Sequence, residues 1–225
     1  MKNFSLRSAT FRLCTAIVAL LLSLSLPAGA ITLIFQGLNG TVLSFSTNST
    51  FGFTSTNGYQ FSISSVTGGA GDAVNLDGYV SPGSPFIIGP ITIAGWVQSA
   101  PVTGTSILHI TDNASTDLTG TIIWLDITTI SVAGVLNLSG QVNLFAINYP
   151  GANSDLGALA AAGSAADVVS FQFVPEKTLT QLSTEGGQTS YSGSITSVPE
   201  PSTLVLIAMG TGLGVFLRGR KQVRR

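Results

Sequence analysis

Between residues 31 and 198, apolar and β-branched residues alternate with polar ones in short runs separated by Gly, Asn, Ser and Pro. Alternation of period two over about four to eight residues puts successive side chains on opposite faces, the pattern of a half-buried strand. The runs that fit are Ile31–Gln36, Thr41–Ser46, Thr50–Thr54, Tyr59–Ser64, Ile91–Gln98, Ser106–Thr111, Thr121–Thr128, Ser131–Leu138, Gln141–Asn148, Val168–Val174 and Ser190–Thr196. Many short strands punctuated by turns predict an all-β domain over residues 31–197, a β-sandwich of jelly-roll type. Two helices are expected. Asp155–Ala162 follows a Ser154 cap and stops at Gly163, and Lys177–Thr184 stops before Gly186. Val66–Pro90 is rich in Gly and Pro, breaks the spacing, and is expected to hold a long surface loop.

One hairpin can be set in register. A two-residue Asn57-Gly58 loop pairs Thr54 with Phe61, whereas a three-residue loop, Thr56-Asn57-Gly58, pairs Phe53 with Phe61 and Phe51 with Ile63. The second gathers four large apolar groups on one side and gives Gly58 the left-handed position, so it is preferred.

Charge divides the chain more sharply than hydropathy. Only 8% of residues are charged, and the formal net charge is −1. Eight of the nine bases lie in the first 12 or last 8 residues. Residues 31–198 keep one base, Lys177, against nine acids. An acidic body with a single Lys offers no electrostatic footprint for nucleic acid. The chain has one Cys, Cys14, and one His, His109. A disulfide framework and every multi-Cys metal site are thereby excluded.

The two ends read as targeting segments. Lys2, Arg7 and Arg12 precede the mostly apolar Leu13–Leu26, and Pro27-Ala28-Gly29-Ala30 follows. This is the order of a secretory signal over residues 1–30, with Ala28 and Ala30 as the small residues of a signal peptidase site. An uncleaved anchor is the competing reading; the segment is short for a span of about 20 residues. At the other end, residues 198–225 contain Val198-Pro199-Glu200-Pro201-Ser202-Thr203, an apolar stretch to Leu217, and the bases Arg218, Arg220, Lys221, Arg224 and Arg225. Residues 203–217 make a helix of about 22 Å, shorter than a hydrocarbon core of about 30 Å. Snorkelling of the flanking bases accommodates the difference. The basic stop predicts a cytoplasmic tail with Pro199 outside. Pro199 and Pro201 keep the segment before the helix extended.

The order of VPEPST, an apolar helix and an Arg-rich end resembles the PEP-CTERM sorting signal of Gram-negative bacteria. In that family an exosortase, a membrane-embedded Cys transpeptidase, recognises the Pro-Glu-Pro and removes the tail. The resemblance implies that Pro199, Glu200 and Pro201 are the recognition residues and that the host makes exopolysaccharide. It covers residues 198–225 alone.

The body offers little chemistry to a reader of its sequence. No Gly-x-Ser-x-Gly elbow occurs, and His109 reads as a strand side chain between Leu108 and Ile110. Asp112, Asp117 and Asp126 permit a carboxylate pair on paper, with nothing to set its separation. Asp72, Asn75 and Asp77 before Gly78 are oxygen ligands of the kind Ca²⁺ takes, although an EF-hand register fails; Asx residues serving turns is the stronger reading. Trp96 shares a face with Thr92, Ala94 and Gln98, and Trp124 with Ile122 and Asp126. Both therefore point to the more polar side of their strands, where exposed rings stack on sugars and covered ones pack into a second layer. The expectation is a non-enzymatic exported protein without a required cofactor. It is anchored transiently in the inner membrane by its C-terminal helix, then sorted to the cell surface or extracellular matrix for a structural or adhesive role. A carbohydrate-binding module for exopolysaccharide comes second; ice binding and a glycoside-acting enzyme rank below both.

Overall fold

The computed structural model of the chain describes residues 29–198 except 56, 82–84 and 133–134, and gives only the backbone of 131–132 and 135–139. In chain order the strands are β1 (Thr32–Gly37), β2 (Leu43–Ser46), β3 (Thr50–Phe53), β4 (Phe61–Thr67), β5 (Asp77–Val80), β6 (Phe86–Ile88), β7 (Thr92–Ala94), β8 (Val97–Thr103), β9 (Thr105–Thr111), β10 (Asp117–Val132), β11 (Val135–Asn148), β12 (Ser164–Gln172), β13 (Gly187–Thr189) and β14 (Tyr191–Ser197). Two helices interrupt them, α1 (Ser154–Ala162) before β12 and α2 (Leu179–Glu185) before β13. Among the described residues no helix is long and apolar enough to cross a membrane. The expected membrane helix over 203–217 and nearly all of the expected signal peptide lie outside the described residues.

The chain is mostly β as expected, but the sheet closes into a barrel instead of forming a jelly-roll-like sandwich. The ring runs β11-β12-β14-β1-β4-β5-β9-β10 and returns from β10 to β11, with every neighbour antiparallel. The long strands make the closure. β10 has 16 residues and β11 has 14, and they pair from Thr119↔Asn148 to Val132↔Val135. On its other edge β10 holds β9 with its first half and β8 with its second. Within the ring, the edges that a sandwich leaves open are thus joined.

Inward positions follow the pleat. Leu33 and Phe35 of β1, Ile63 of β4, Leu108 and Ile110 of β9, and Leu144 of β11 are all buried. Burying each such side chain contributes about 1.5–3 kcal/mol. A register shift in β10 between Trp124 and Asp126 changes which parity points inward. Before it Leu118, Ile122 and Trp124 are buried; after it Ile127 and Thr129 are, while Leu125 is exposed. Three inward glycines leave room for large rings. A Cβ on Gly140 falls 1.8 Å from Trp124, one on Gly193 2.4 Å from Phe35, and one on Gly78 2.3 Å from Phe61.

The two ends of the barrel are stoppered differently. At the end where β1 starts and β14 stops, α1 buries Leu156 and Leu159. Asp155 there accepts the backbone N–H groups of Ala70 (2.7 Å) and Ala73 (2.9 Å). At the other end β8-β6-β3-β2-β13 continues from β10 and covers the barrel with aromatics. Phe51 meets Trp124 at 4.8 Å, Phe53 meets Tyr191 at 4.9 Å, and Phe45 meets Phe171 at 5.6 Å.

Three further expectations change. The preferred β3–β4 hairpin does not form: β3 pairs with β2 and β6, while Phe61 lies opposite Gly37 and Gly78. The two strands belong to different parts of the sheet, although Asn57 and Gly58 do take positive φ (61° and 90°). Ile91–Gln98 is no single strand but the β7–β8 hairpin, turned at Gly95 (φ 61°) and Trp96. Val66–Pro90 contains β5 and β6. The helices stand close to their expected places. Asn153, one residue earlier than expected, caps α1, and Gly163 ends it in left-handed conformation; Thr178 and Gln181 form a capping box on α2.

Candidate functional site

The barrel has a polarity that its strand directions create. β1 and β14 pair from Thr32↔Thr196 onward, so the first and last residues of the body lie side by side. Ile31 is buried; its N–H donates to Ser197 Oγ at 2.9 Å, and the Ser197 N–H donates to the Ile31 carbonyl at 2.8 Å. The Val198 N–H donates to the Ser164 carbonyl at 3.0 Å. Ala30 is exposed and immediately precedes this clasp. Ala28, Pro199, Glu200, Pro201, Arg218, Arg220, Lys221, Arg224 and Arg225 lie outside the described residues.

Residues 197–221 match the PEP-CTERM protein-sorting motif. The chain carries a PEP-CTERM sorting signal. Among curated proteins and solved structures no match to the chain is found. The PEP-CTERM signal implies export and membrane processing by an exosortase-like enzyme. The match begins at Ser197, the last residue of β14.

At the opposite end lies the β7–β8 hairpin. Val97 pairs with Ile130 of β10, eleven residues along that strand from Thr119, which pairs with Asn148 at the end that holds α1 and the clasp of Ile31 with Ser197. Trp96 stands at its tip, 79% exposed, with Ile93 of β7 63% exposed. Trp124 does not share that surface. It is 2% exposed and packed against Phe51 and Phe86, because the register shift after it turns the Ile122–Trp124 side inward. Its expected polar orientation is therefore corrected.

The acidic residues serve local structure. Asp72 accepts the Ser154 hydroxyl, and its carbonyl accepts Asn153 Nδ2 at 2.8 Å, at the start of α1. Asn75 occupies a turn with φ 66°, and Asp77 lies in β5 opposite Ser62 and Thr111. Among the described residues no three His, Cys, Asp or Glu side chains are grouped to hold a metal. Asp112 closes its own turn through Ala114 and Thr116 N–H groups, each 2.8 Å from Oδ1, and accepts the Tyr149 hydroxyl. The Tyr149 bond, followed by the backbone bonds, holds its carboxyl below the ordinary value. Lys177 donates to the carbonyl of Gly186 (2.9 Å), spending the body's sole base on the end of α2.

Sequence reasoning passed over two arrangements. Asp167 of β12 faces into the barrel, 6% exposed, and its Oδ1 has no hydrogen-bond partner among the described residues. Burial pushes its carboxyl up to about 8. Parity along β12 was the available signal, since Ala165, Val169 and Phe171 share its side. His109 meets Ser81 and Asp117 on the outer face. An Asp eight residues beyond a His across a β9–β10 hairpin was legible, whereas Ser81 arrives from just past the end of β5.

Proposed function

We propose that the barrel is displayed at the cell surface or in the extracellular matrix as a structural or adhesive module, held at the PEP-CTERM end and making contact through the opposite one. The observation that supports this reading is the polarity of the fold. Ile31 and Ser197 are clasped at one end, and the Trp96 hairpin projects at the other. An exposed Trp ring offers a large contact area at small entropic cost, the usual anchor of an interface. The acidic body keeps such a module soluble and away from anionic membranes.

Attachment of cells carrying the full-length protein to polysaccharide-coated surfaces tests this. Trp96→Ala should reduce attachment by about 10-fold or more, the loss expected of an interface anchor, and leave thermal unfolding unchanged because the ring is exposed. Attachment equal to wild type sinks the proposal. Carbohydrate binding is the second reading, favoured by the openness of this one ring. It requires retarded migration of the protein in gels containing exopolysaccharide, abolished in the same variant; adhesion without retardation selects a protein or other surface partner.

A further inference from the structure

The outer face of the barrel carries a polar relay that neither strand pairing nor sorting requires. His109 on β9 lies between Tyr79 on β5 and Thr119 on β10. Its Nε2 is 2.9 Å from Ser81 Oγ, and its Nδ1 is 3.3 Å from Asp117 Oδ2. An ionised carboxylate only accepts, so in the neutral imidazole Nδ1 carries the proton and Nε2 keeps its lone pair. The Ser81 hydroxyl therefore donates to Nε2. That is the direction in which a serine loses its proton to a base as it attacks.

Each member of the relay is held in place. Thr111 donates its hydroxyl to the other Asp117 oxygen at 2.8 Å. The Tyr79 ring stacks on the imidazole, with centroids 4.4 Å apart and planes within 1°. Burial, then the nearby Asp117 charge, raises the Tyr79 phenol above its ordinary value, so the ring stays neutral beside the imidazole. Ser81 is fixed on both sides of its backbone: its N–H donates to Ile107 (2.8 Å) and its carbonyl accepts the Ser106 hydroxyl (2.7 Å). It also forms part of the wall of a cleft of about 280 Å³, together with Gly52, Phe53, Gly58, Tyr79 and Phe86. Among the described residues the cleft has no charged side chain, which suits a small neutral guest.

We propose that Ser81, with His109 as its base, is the nucleophile of a site that hydrolyses uncharged esters of short carboxylic acids. Ser81 Oγ adds to the ester carbonyl carbon as its proton passes to His109 Nε2. The bond from that carbon to the alcohol oxygen then breaks, and the same proton goes to the departing alcohol. Water adds to the acyl carbon, yielding a proton to Nε2; the Ser81 Oγ–carbon bond breaks, Ser81 recovers the proton, and the carboxylic acid leaves. Asp117 is a positioning residue that holds the productive tautomer and stabilises the transient imidazolium. This activity is independent of the display reading.

The test uses full-length protein in the membranes of expressing cells, an alkyl fluorophosphonate that captures activated serines, and 4-nitrophenyl acetate. Peptide mass analysis should find the phosphonate on the peptide that contains Ser81. Ser81→Ala should abolish both adduct and turnover, and His109→Gln should lower turnover by about 100-fold or more. Asp117→Asn should lower kcat while leaving KM within about twofold, a split that loss of folding does not produce. Ser64→Ala, on the outer side of β4, should behave as wild type. Wild-type protein with an intact melting transition and no phosphonate at Ser81 overturns the proposal, as does turnover that survives in Ser81→Ala. The wild-type adduct decides the matter even where a variant fails to fold.

Discussion

Asp167→Asn isolates the energetics of the barrel interior. Around Asp167 stand Phe35, Phe61, Trp124, Val142 and Tyr191, with about 20 Å³ of free space, room for one water-sized molecule. Among the described residues no other charged side chain shares that lining, and desolvation alone raises the carboxyl, to about 8 from the 3.8 of the free group. Between those two values the native state holds one proton more than the unfolded chain. Stability therefore falls as pH rises, by about 1.4 kcal/mol per pH unit for this group. From pH 5 to pH 7 the loss is about 3 kcal/mol, equivalent to about 5–11 °C in Tm for a domain of this size. Asn has nearly the same shape and does not ionise, so its unfolding curve should lack that slope. The near-UV circular dichroism of the buried Trp124 reports the transition. The window above pH 5 avoids Asp112, whose lowered carboxyl adds stability above its unfolded value and loses it only as pH falls through the folded one. The comparison concerns the slope, because the Asn amide adds a constant offset of its own. Parallel curves for the two proteins would refute a neutral Asp167.

Gly140→Ala should destabilise the barrel by about 1–3 kcal/mol, since the added methyl overlaps Trp124 at 1.8 Å; denaturant unfolding measures it, and an unchanged midpoint contradicts the packing described. Asp155→Ala removes the acceptor of the Ala70 and Ala73 N–H groups. Each orphaned donor costs about 1–3 kcal/mol, and faster hydrogen exchange confined first to residues 68–76 is the expected signature.

Local chemistry was legible from the sequence, and distant pairing was not. Gly163 after α1 and Gly186 after α2 act within one helical turn, so their message needs no partner; the caps at the other ends, Asn153 where Ser154 was expected and the Thr178–Gln181 box, were not read. β9 and β14 were likewise readable, because alternation declares an inward face wherever the neighbours lie. Alternation does not declare what closes a sheet. The ring depends on Phe61 finding Gly37 and Gly78, and on β10 pairing with β9 on one edge and β11 on the other. At Trp124 the one-residue shift that follows reverses the parity, and an unbroken period-two reading assigned the ring to the wrong side. At Gly95-Trp96 the alternation runs straight through a turn, so a hairpin passed for a strand. Ser81 and His109 are 28 residues apart, and only the placement of β5 beside β9 brings them together.

The position of β14 has a mechanical consequence. It is flanked by β1 across Ser192–Thr196 and by β12 across Tyr191–Ser197, antiparallel on both sides. A load applied between the residues after Val198 and the far hairpin pulls β14 lengthwise past both neighbours. The ladder bonds on its two flanks then strain together, in shear, instead of opening one after another as in a peeled hairpin. The strand that leads into the export tag is thus secured by a backbone ladder on each edge, so such a load meets both ladders at once.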